Sequence, residues 1–364
     1  MKTHLGRAAA AAAACAITVS LAACGADEED GRPGGSDAIK VGLLLPETGT
    51  ARYEKFDRPL IEKEVRGFTL GKGAVLYANA RQDASVQSAQ VDAMIAKKVD
   101  VLIIDAVDAK AIAPSVKKAK AAGIPVVAYD RLAEGPIDAY ASFDNEDVGK
   151  VQGKALLDAL GPKAGTGRIV MMNGSDTDPN ARQFKQGAHA VLDGKVHVGK
   201  EYDTVDWKPE NAAANMTAAI SRLGKSEIAG VYSANDGMAG GIITALKDAG
   251  VSPLPPVTGQ DAELAGVQRI VAGTQYMTVY KPYGPEAAAA AEMAVALARG
   301  ERISGIINQV VDSPTSKHVP SFLVTGIAVT RNNVKTTVVY DGVYTVDEIC
   351  TPKLKAACAE IGLE

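Results

Sequence analysis

Polar residues collect at one kind of place in this chain: directly after short apolar runs rich in Val, Ile and Leu. Asp130 and Arg131 follow the run 126–129, and Asn173 to Asn180 follow 169–172. Asn235 and Asp236 follow 230–233, Gln260 and Asp261 follow 257–259, and Lys281 follows 277–280. Carboxylates, amides and a guanidinium in such a set suit a polar, uncharged, hydroxyl-rich ligand. An ionised Asp accepts from two neighbouring hydroxyls, while Arg and Asn donate back. One Asp or Asn after a strand does no more than cap the next helix; five such places together argue for a shared site.

Other chemistries fail on spacing. Asp176-Thr-Asp178-Pro-Asn180 opens like a calcium loop, but its sixth position is Ala181 instead of Gly and its twelfth is Gly187 instead of Glu. Gly165-Thr-Gly167 precedes a strand where a dinucleotide turn would follow one, and no P-loop is present. Ser115-Val-Lys-Lys118 has the serine–lysine spacing of penicillin-binding enzymes without the companion motifs. There is no G-x-S-x-G or H-E-x-x-H, and His189, His197 and His318 are scattered singly. Asp130 and Asp261, facing across a cleft, would suit a glycosidase. Hydrolysis needs one acid with a raised pKa, whereas each Asp here sits beside a cation or an amide that keeps it ionised. No catalytic residue, cofactor or metal is expected.

The elements that must position these residues repeat as β-α units. Strands are expected over 40–45, 74–79, 101–105, 125–129, 168–172, 230–233, 257–259 and 278–280, several of them apolar enough to be buried on both faces. Helices are expected over 86–97, 115–122, 181–192, 211–223, 239–249 and 286–299. Gly123, Gly250 and Gly300 stand where three of them should end, with Pro125 and Pro253 after two. The strands are too many for one comfortable sheet, so the fold class is α/β, two doubly wound parallel-sheet lobes. Ligands of such sheets bind beyond the carboxyl ends of the strands, where the polar set lies.

Composition narrows the class further. The 364 residues are 47% hydrophobic and 23% charged, with a net charge of −4 that offers no basic face to nucleic acid. No apolar run reaches the roughly 18–20 residues needed to span a bilayer. Lys2, His4 and Arg7, the apolar run 8–20 and Leu21-Ala-Ala-Cys24 form an export signal over 1–23. Its end resembles a bacterial lipobox, which makes Cys24 a lipidated N-terminus on an acidic, Gly-rich tether, 24–38. Cys350 and Cys358 then remain, and outside the cytoplasm a disulfide is the first reading. Eight residues of continuous helix would hold them about 12 Å apart, too far to bond, but Pro352 suggests a helix start that frees Cys350 to fold back.

The polar set belongs to a longer ordered series: Lys40-Val-Gly-Leu-Leu-Leu-Pro46, Ala51-Arg-Tyr-Glu-Lys-Phe-Asp-Arg58, Tyr129-Asp-Arg131, Ser142-Phe-Asp-Asn145, Trp207-Lys-Pro-Glu-Asn211, Ala234-Asn-Asp236, Gly259-Gln-Asp261 with Leu264-Ala-Gly266, and Tyr280-Lys-Pro282. From about Ile39 to Val343 this series resembles the type I periplasmic sugar-binding proteins of ABC importers, in their xylose-binding branch. The resemblance implies two lobes joined by three crossings and closing on one sugar. It implies a first lobe over 39–142 and 282–312, a second over 143–281 and 313–343, and a C-terminal tail over 344–364. Carried over by position, Arg52 would donate to a ring or anomeric oxygen and Tyr53 would cover one sugar face, where the family usually has Trp. Asp130 and Arg131 would bind from the first lobe, and Asp178, Asn180, Asn235, Asp261 and Lys281 from the second lobe and hinge. Trp207, the only Trp, would stack on the opposite face. Three cations against three carboxylates leave no attraction for a phosphate or carboxylate ligand. The implied partners are a monosaccharide, D-xylose first, ABC permease subunits, and the membrane through Cys24; the chain itself is expected to be a monomer. A receptor-coupled sugar sensor would use the same pocket. A sugar-responsive repressor shares the lobes but would need a basic helix-turn-helix ahead of Ile39.

Overall fold

A computed structural model describes residues 38–364. The export signal, Cys24 and nearly all of the tether lie outside the described residues. Twelve strands are described: β1 Lys40–Leu45, β2 Ala74–Asn79, β3 Val101–Ile104, β4 Val126–Tyr129, β5 Ala139–Phe143, β6 Arg168–Asn173, β7 His197–Asp203, β8 Ile228–Ser233, β9 Met277–Tyr280, β10 Gln309–Val311, β11 Val319–Val324 and β12 Ile327–Thr330. The helices that matter below are α1 Arg58–Phe68, α2 Ala84–Ala96, α3 Ala113–Ala121, α4 Asn145–Leu160, α5 Pro179–Leu192, α6 Pro209–Leu223, α7 Asp236–Asp248, α8 Leu264–Val271 and α9 Tyr283–Ala298.

The first lobe is built on a seven-stranded sheet in the order β10-β11-β5-β4-β3-β1-β2, parallel except for β10. β3, β4 and β5 are buried along their whole length, as expected of strands covered by helices on both faces. The second lobe holds the parallel trio β7-β6-β8 and the antiparallel pair β9-β12. The segment read as a strand over 257–259 makes a single bridge, Val231 to Val257, and accepts hydrogen bonds from Tyr276 N–H just before β9 at Val257 O and from Val279 N–H of β9 at Gly259 O.

Three crossings join the lobes: Asp144 between β5 and α4, Lys281 and Pro282 between β9 and α9, and Thr325 and Gly326 between β11 and β12. Two boundaries differ from the sequence reading. β11 pairs in parallel with β5, Ser321 opposite Tyr140, so 313–324 belongs to the first sheet and the chain returns to the second lobe only after Val324. Its sequence, VPSFLV, carries a Pro and a Ser that mask its strand pattern. The tail 344–364 is also no appendage. Tyr344, Ile349, Cys358 and Leu363 are buried against Val267, Ile270 and Val271 of α8. Cys350 and Cys358 are bonded, with Cα atoms 6.0 Å apart; one short helix ends before Cys350 and another begins at Lys355, so no continuous helix separates them.

Two glycines set the packing of the helices that carry the second lobe's part of the site. A Cβ on Gly149 of α4 would meet Phe184 O at 2.1 Å, and one on Gly187 of α5 would meet Glu146 O at 1.9 Å. Backbone contact between α4 and α5 therefore requires glycine at both places, and it fixes Phe184 against the interlobe cavity.

Candidate functional site

The site grows from the end of β4. Asp130 takes a positive φ of 52°, and its carbonyl accepts from Tyr140 Oη (2.9 Å), Ser142 Oγ (2.6 Å) and, from the other lobe, Asn180 Nδ2 (3.0 Å). The turn aims its carboxylate inward, where Oδ1 accepts from Arg52 Nη1 at 2.9 Å and Oδ2 from Tyr53 Oη at 3.1 Å. Arg52 is held from behind. Its Nε and Nη2 donate to the two oxygens of Asp57 (2.8 and 3.2 Å), and Nη2 also donates to Glu286 Oε2 of α9 (2.6 Å). Its guanidinium lies 4.6 Å from the Tyr283 ring centroid. Such charge-assisted, multiply directed bonds fix a planar group more tightly than a single pair would.

Arg131 donates to Ala106 O (3.0 Å) and Tyr53 Oη (3.2 Å), and its Nε lies 2.9 Å from Asp178 Oδ2 across the lobes. Asp178 caps α5, accepting Asn180 N–H at 2.8 Å, and Oδ2 also accepts Trp207 Nε1 at 3.1 Å. The Trp207 ring meets Phe184 edge-on, centroids 6.3 Å apart. Gly174 leaves room for it: a Cβ there would lie 2.0 Å from a ring carbon. Asn235 caps α7 through Met238 N–H (2.9 Å), so the capping role open to any such residue is real here, and the residue lines the cavity as well.

Asp261 stands on a strained turn with φ of 86°. Its N–H donates to Val279 O, its carbonyl accepts from Tyr283 Oη at 2.6 Å, and Oδ1 lies 2.9 Å from Lys281 Nζ. The turn is pinned from below by Asp236, which accepts from Glu263 N–H (2.9 Å), Thr278 Oγ1 (2.8 Å) and Gln275 Nε2 (2.6 Å).

All ten residues expected to bind ligand line one interlobe cavity. Thr50, Phe184 and Gln260 complete its wall. Asn180 Oδ1 and Gln260 Oε1 are buried acceptors without a protein donor.

Behind the wall stand three buried carboxyl groups absent from the expected charge balance: Asp57, Asp105 and Glu286. Burial pushes each above the usual carboxylate range, against the pull of Arg52 or Arg131. Asp130 differs: burial pushes it up, but Arg52, Lys281 and Arg131 outweigh that and hold it below its ordinary value. Asp178 is raised by burial in spite of Arg131. The three cations and three carboxylates of the wall are thus backed by three further carboxyl groups that burial disposes toward the neutral form. Asp105 follows its strand as the other site residues do. Glu286 is a lone acid opening the Ala-rich stretch of α9, which is the signal it offered.

Residues 41–302 match the family described as periplasmic binding protein domain. The chain belongs to this family. Among its relatives, this periplasmic binding protein is 39% identical to the D-xylose-binding periplasmic protein of Escherichia coli, over 85% of this chain and 92% of the relative. It is 35% identical to the multiple sugar-binding periplasmic protein SbpA of Azospirillum brasilense, over 85% and 90%. Among solved structures, an ABC transporter solute binding protein from Clostridium phytofermentans with bound β-D-glucose superposes with a TM-score of 0.79 at 28% identity, covering 85% of this chain and 99% of that one. The two parallel-sheet lobes are those of the type I members of this family.

Proposed function

We propose that this periplasmic binding protein captures one neutral monosaccharide, D-xylose first among candidates, between its lobes and delivers it to an ABC permease. One observation carries the reading. The interlobe cavity is walled by Asp130, Asp261 and the open acceptors Asn180 Oδ1 and Gln260 Oε1, a surplus of acceptors that sugar hydroxyls satisfy and an anion does not. Trp207 and Tyr53 offer the apolar bodies that sugar C–H faces need. The name of the E. coli relative supports xylose, and that of SbpA supports a wider sugar range. The mechanism is capture, not chemistry: sugar bridges Asp130 and Arg131 of one lobe to Asn235 and Asp261 of the other, and the closed form is what the permease engages. The chain is monomeric and exported, held outside the cytoplasmic membrane by lipid on Cys24; Cys24→Ser should release it to the soluble fraction, and retention would refute the anchor.

The test is thermal unfolding against a panel of xylose, ribose, arabinose and glucose. At a hundredfold excess over Kd, native-state binding contributes ~2.7 kcal/mol, a rise in Tm of about 3–5 °C for a chain of this size. A shift with xylose alone supports both class and ligand. A shift with another sugar corrects the ligand, and no shift with any refutes sugar capture.

A further inference from the structure

Asp105 is, among the described residues, a buried carboxylate beside the cavity whose two oxygens both lack a hydrogen-bond donor. Its backbone cannot retreat. Asp105 N–H donates to Leu44 O at 2.9 Å, and Gln87 of α2 clamps the residue from the other side, donating to Asp105 O at 2.7 Å while accepting Val107 N–H at 2.8 Å. The nearest cation is Arg131, whose Nε lies 3.6 Å away. That same Nε lies 2.9 Å from Asp178 Oδ2 on the opposite lobe. One guanidinium nitrogen thus stands between a carboxylate of its own lobe and one that reaches it only when the lobes meet. Burial, then repulsion from Asp130, raises the Asp105 carboxyl, which agrees with a charge sealed in without adequate partners.

We propose that Asp105 opposes closure: it pairs with Arg131 while the lobes are apart, and closing must divide that guanidinium with Asp178 and seal a carboxylate that receives no hydrogen bond. Sealing an imperfectly paired charge is unfavourable, and Asp178 also brings a like charge toward Asp105 and Asp130. Asp105 does not itself line the cavity; it reaches the wall through Arg131. It is a positioning residue that keeps the closed form scarce until ligand is present, so that the permease meets loaded protein. The inference rests on the sugar-capture reading for its purpose, but not for its first readout. A ligand shifts an equilibrium only by its preference for one state, and apparent affinity scales with the competent fraction.

The experiment compares the full exported chain with its Asp105→Asn variant, which keeps shape and removes charge. Small-angle scattering without sugar should show the variant more compact than wild type, approaching the sugar-saturated wild type. Its affinity for xylose should tighten about fivefold or more. An unchanged sugar-free radius of gyration, or unchanged or weaker affinity, overturns the proposal. Asp105→Ser removes the charge with less volume and answers the same question should Asn misfold. Failure of both to fold also overturns it, since a charge that only opposes closure is dispensable to the open fold. If wild type binds no sugar of the panel, the capture reading fails, while the sugar-free comparison still judges Asp105.

Discussion

Replacing Asp261 by Asn tests the site at its most loaded point. Asp261 Oδ1 lies 2.9 Å from Lys281 Nζ, with both side chains almost fully shielded from water. Beyond it the ammonium has the rings of Phe143 and Phe184, at 5.2 and 5.4 Å, and the more distant attraction of Asp130 and Glu286. Asn is the informative replacement because the residue takes φ of 86°, a region Asn tolerates better than Ala. The backbone bonds to Val279 and Tyr283 survive it. Two effects follow. A charge-assisted hydrogen bond to sugar becomes neutral, a loss of up to about 1.5–3 kcal/mol. Lys281 also loses its adjacent carboxylate, which costs up to about 3–5 kcal/mol when fully buried, with ring contacts offsetting ~1 kcal/mol. Taking a conservative sum of about 3 kcal/mol, affinity should fall about a hundredfold. The open cleft admits water to Lys281, so the cost falls on the closed, liganded state and the sugar-free Tm should barely move. Calorimetric titration with xylose gives the first quantity and scanning calorimetry the second. A Kd within about threefold of wild type, or a sugar-free destabilisation as large as the binding loss, would refute this account of Asp261.

Gly174→Ala would push a methyl to 2.0 Å from the Trp207 ring; overpacking of about 1–3 kcal/mol should weaken sugar binding and shift the emission of the chain's single tryptophan, and an unaltered spectrum would count against the tight seating of Trp207. Replacing Cys350 and Cys358 by Ser opens a loop of sequence separation 8, which should lower stability by about 2–3 kcal/mol in urea titrations while leaving xylose affinity unchanged. Asp236, pushed up to about 7 by burial, lies above its unfolded value of about 4. The folded chain therefore holds that proton more tightly, and stability falls as pH rises from about 4 to about 7. Asp236→Asn should flatten that portion of the urea-midpoint profile, and an unchanged slope would reject the assignment.

Residues whose role depends on neighbours along the chain were readable, and those whose role depends on distant ones were not. β1 and β2 match their expected limits because each is a clean apolar run bounded by turn residues. β5 was missed since AYASF mixes small and polar residues, and only burial between β4 and β11 makes it a strand. β7, HVGKEYD, is a half-exposed edge whose Gly and charges hide its pairing with β6. The same rule divides the site. Strand-end residues announce themselves by position, whereas Phe184 enters the wall only because Gly149 and Gly187 bring α4 and α5 together. Glu286 lies 234 positions from the Arg52 it bonds.

These long-range partners explain why the two arginines at the site do different work. Arg52 is held within its own lobe by Asp57, Asp130 and Glu286, so opening the cleft takes no partner from it, and under the proposed reading it would meet the ligand already oriented. Preorganisation of that kind reduces the ordering that binding must impose. Arg131 has within its lobe Ala106 O, Tyr53 Oη, the more distant charge of Asp130 and the imperfect contact with Asp105, and its closest carboxylate, Asp178, arrives from the other side. Removing charge at Asp57 or Glu286 should therefore weaken ligand binding by loosening Arg52 without altering the sugar-free open-to-closed balance. Changing Asp105 or Asp178 should alter that balance directly. On the proposed reading, Arg52 serves recognition and Arg131, shared between the lobes, serves closure.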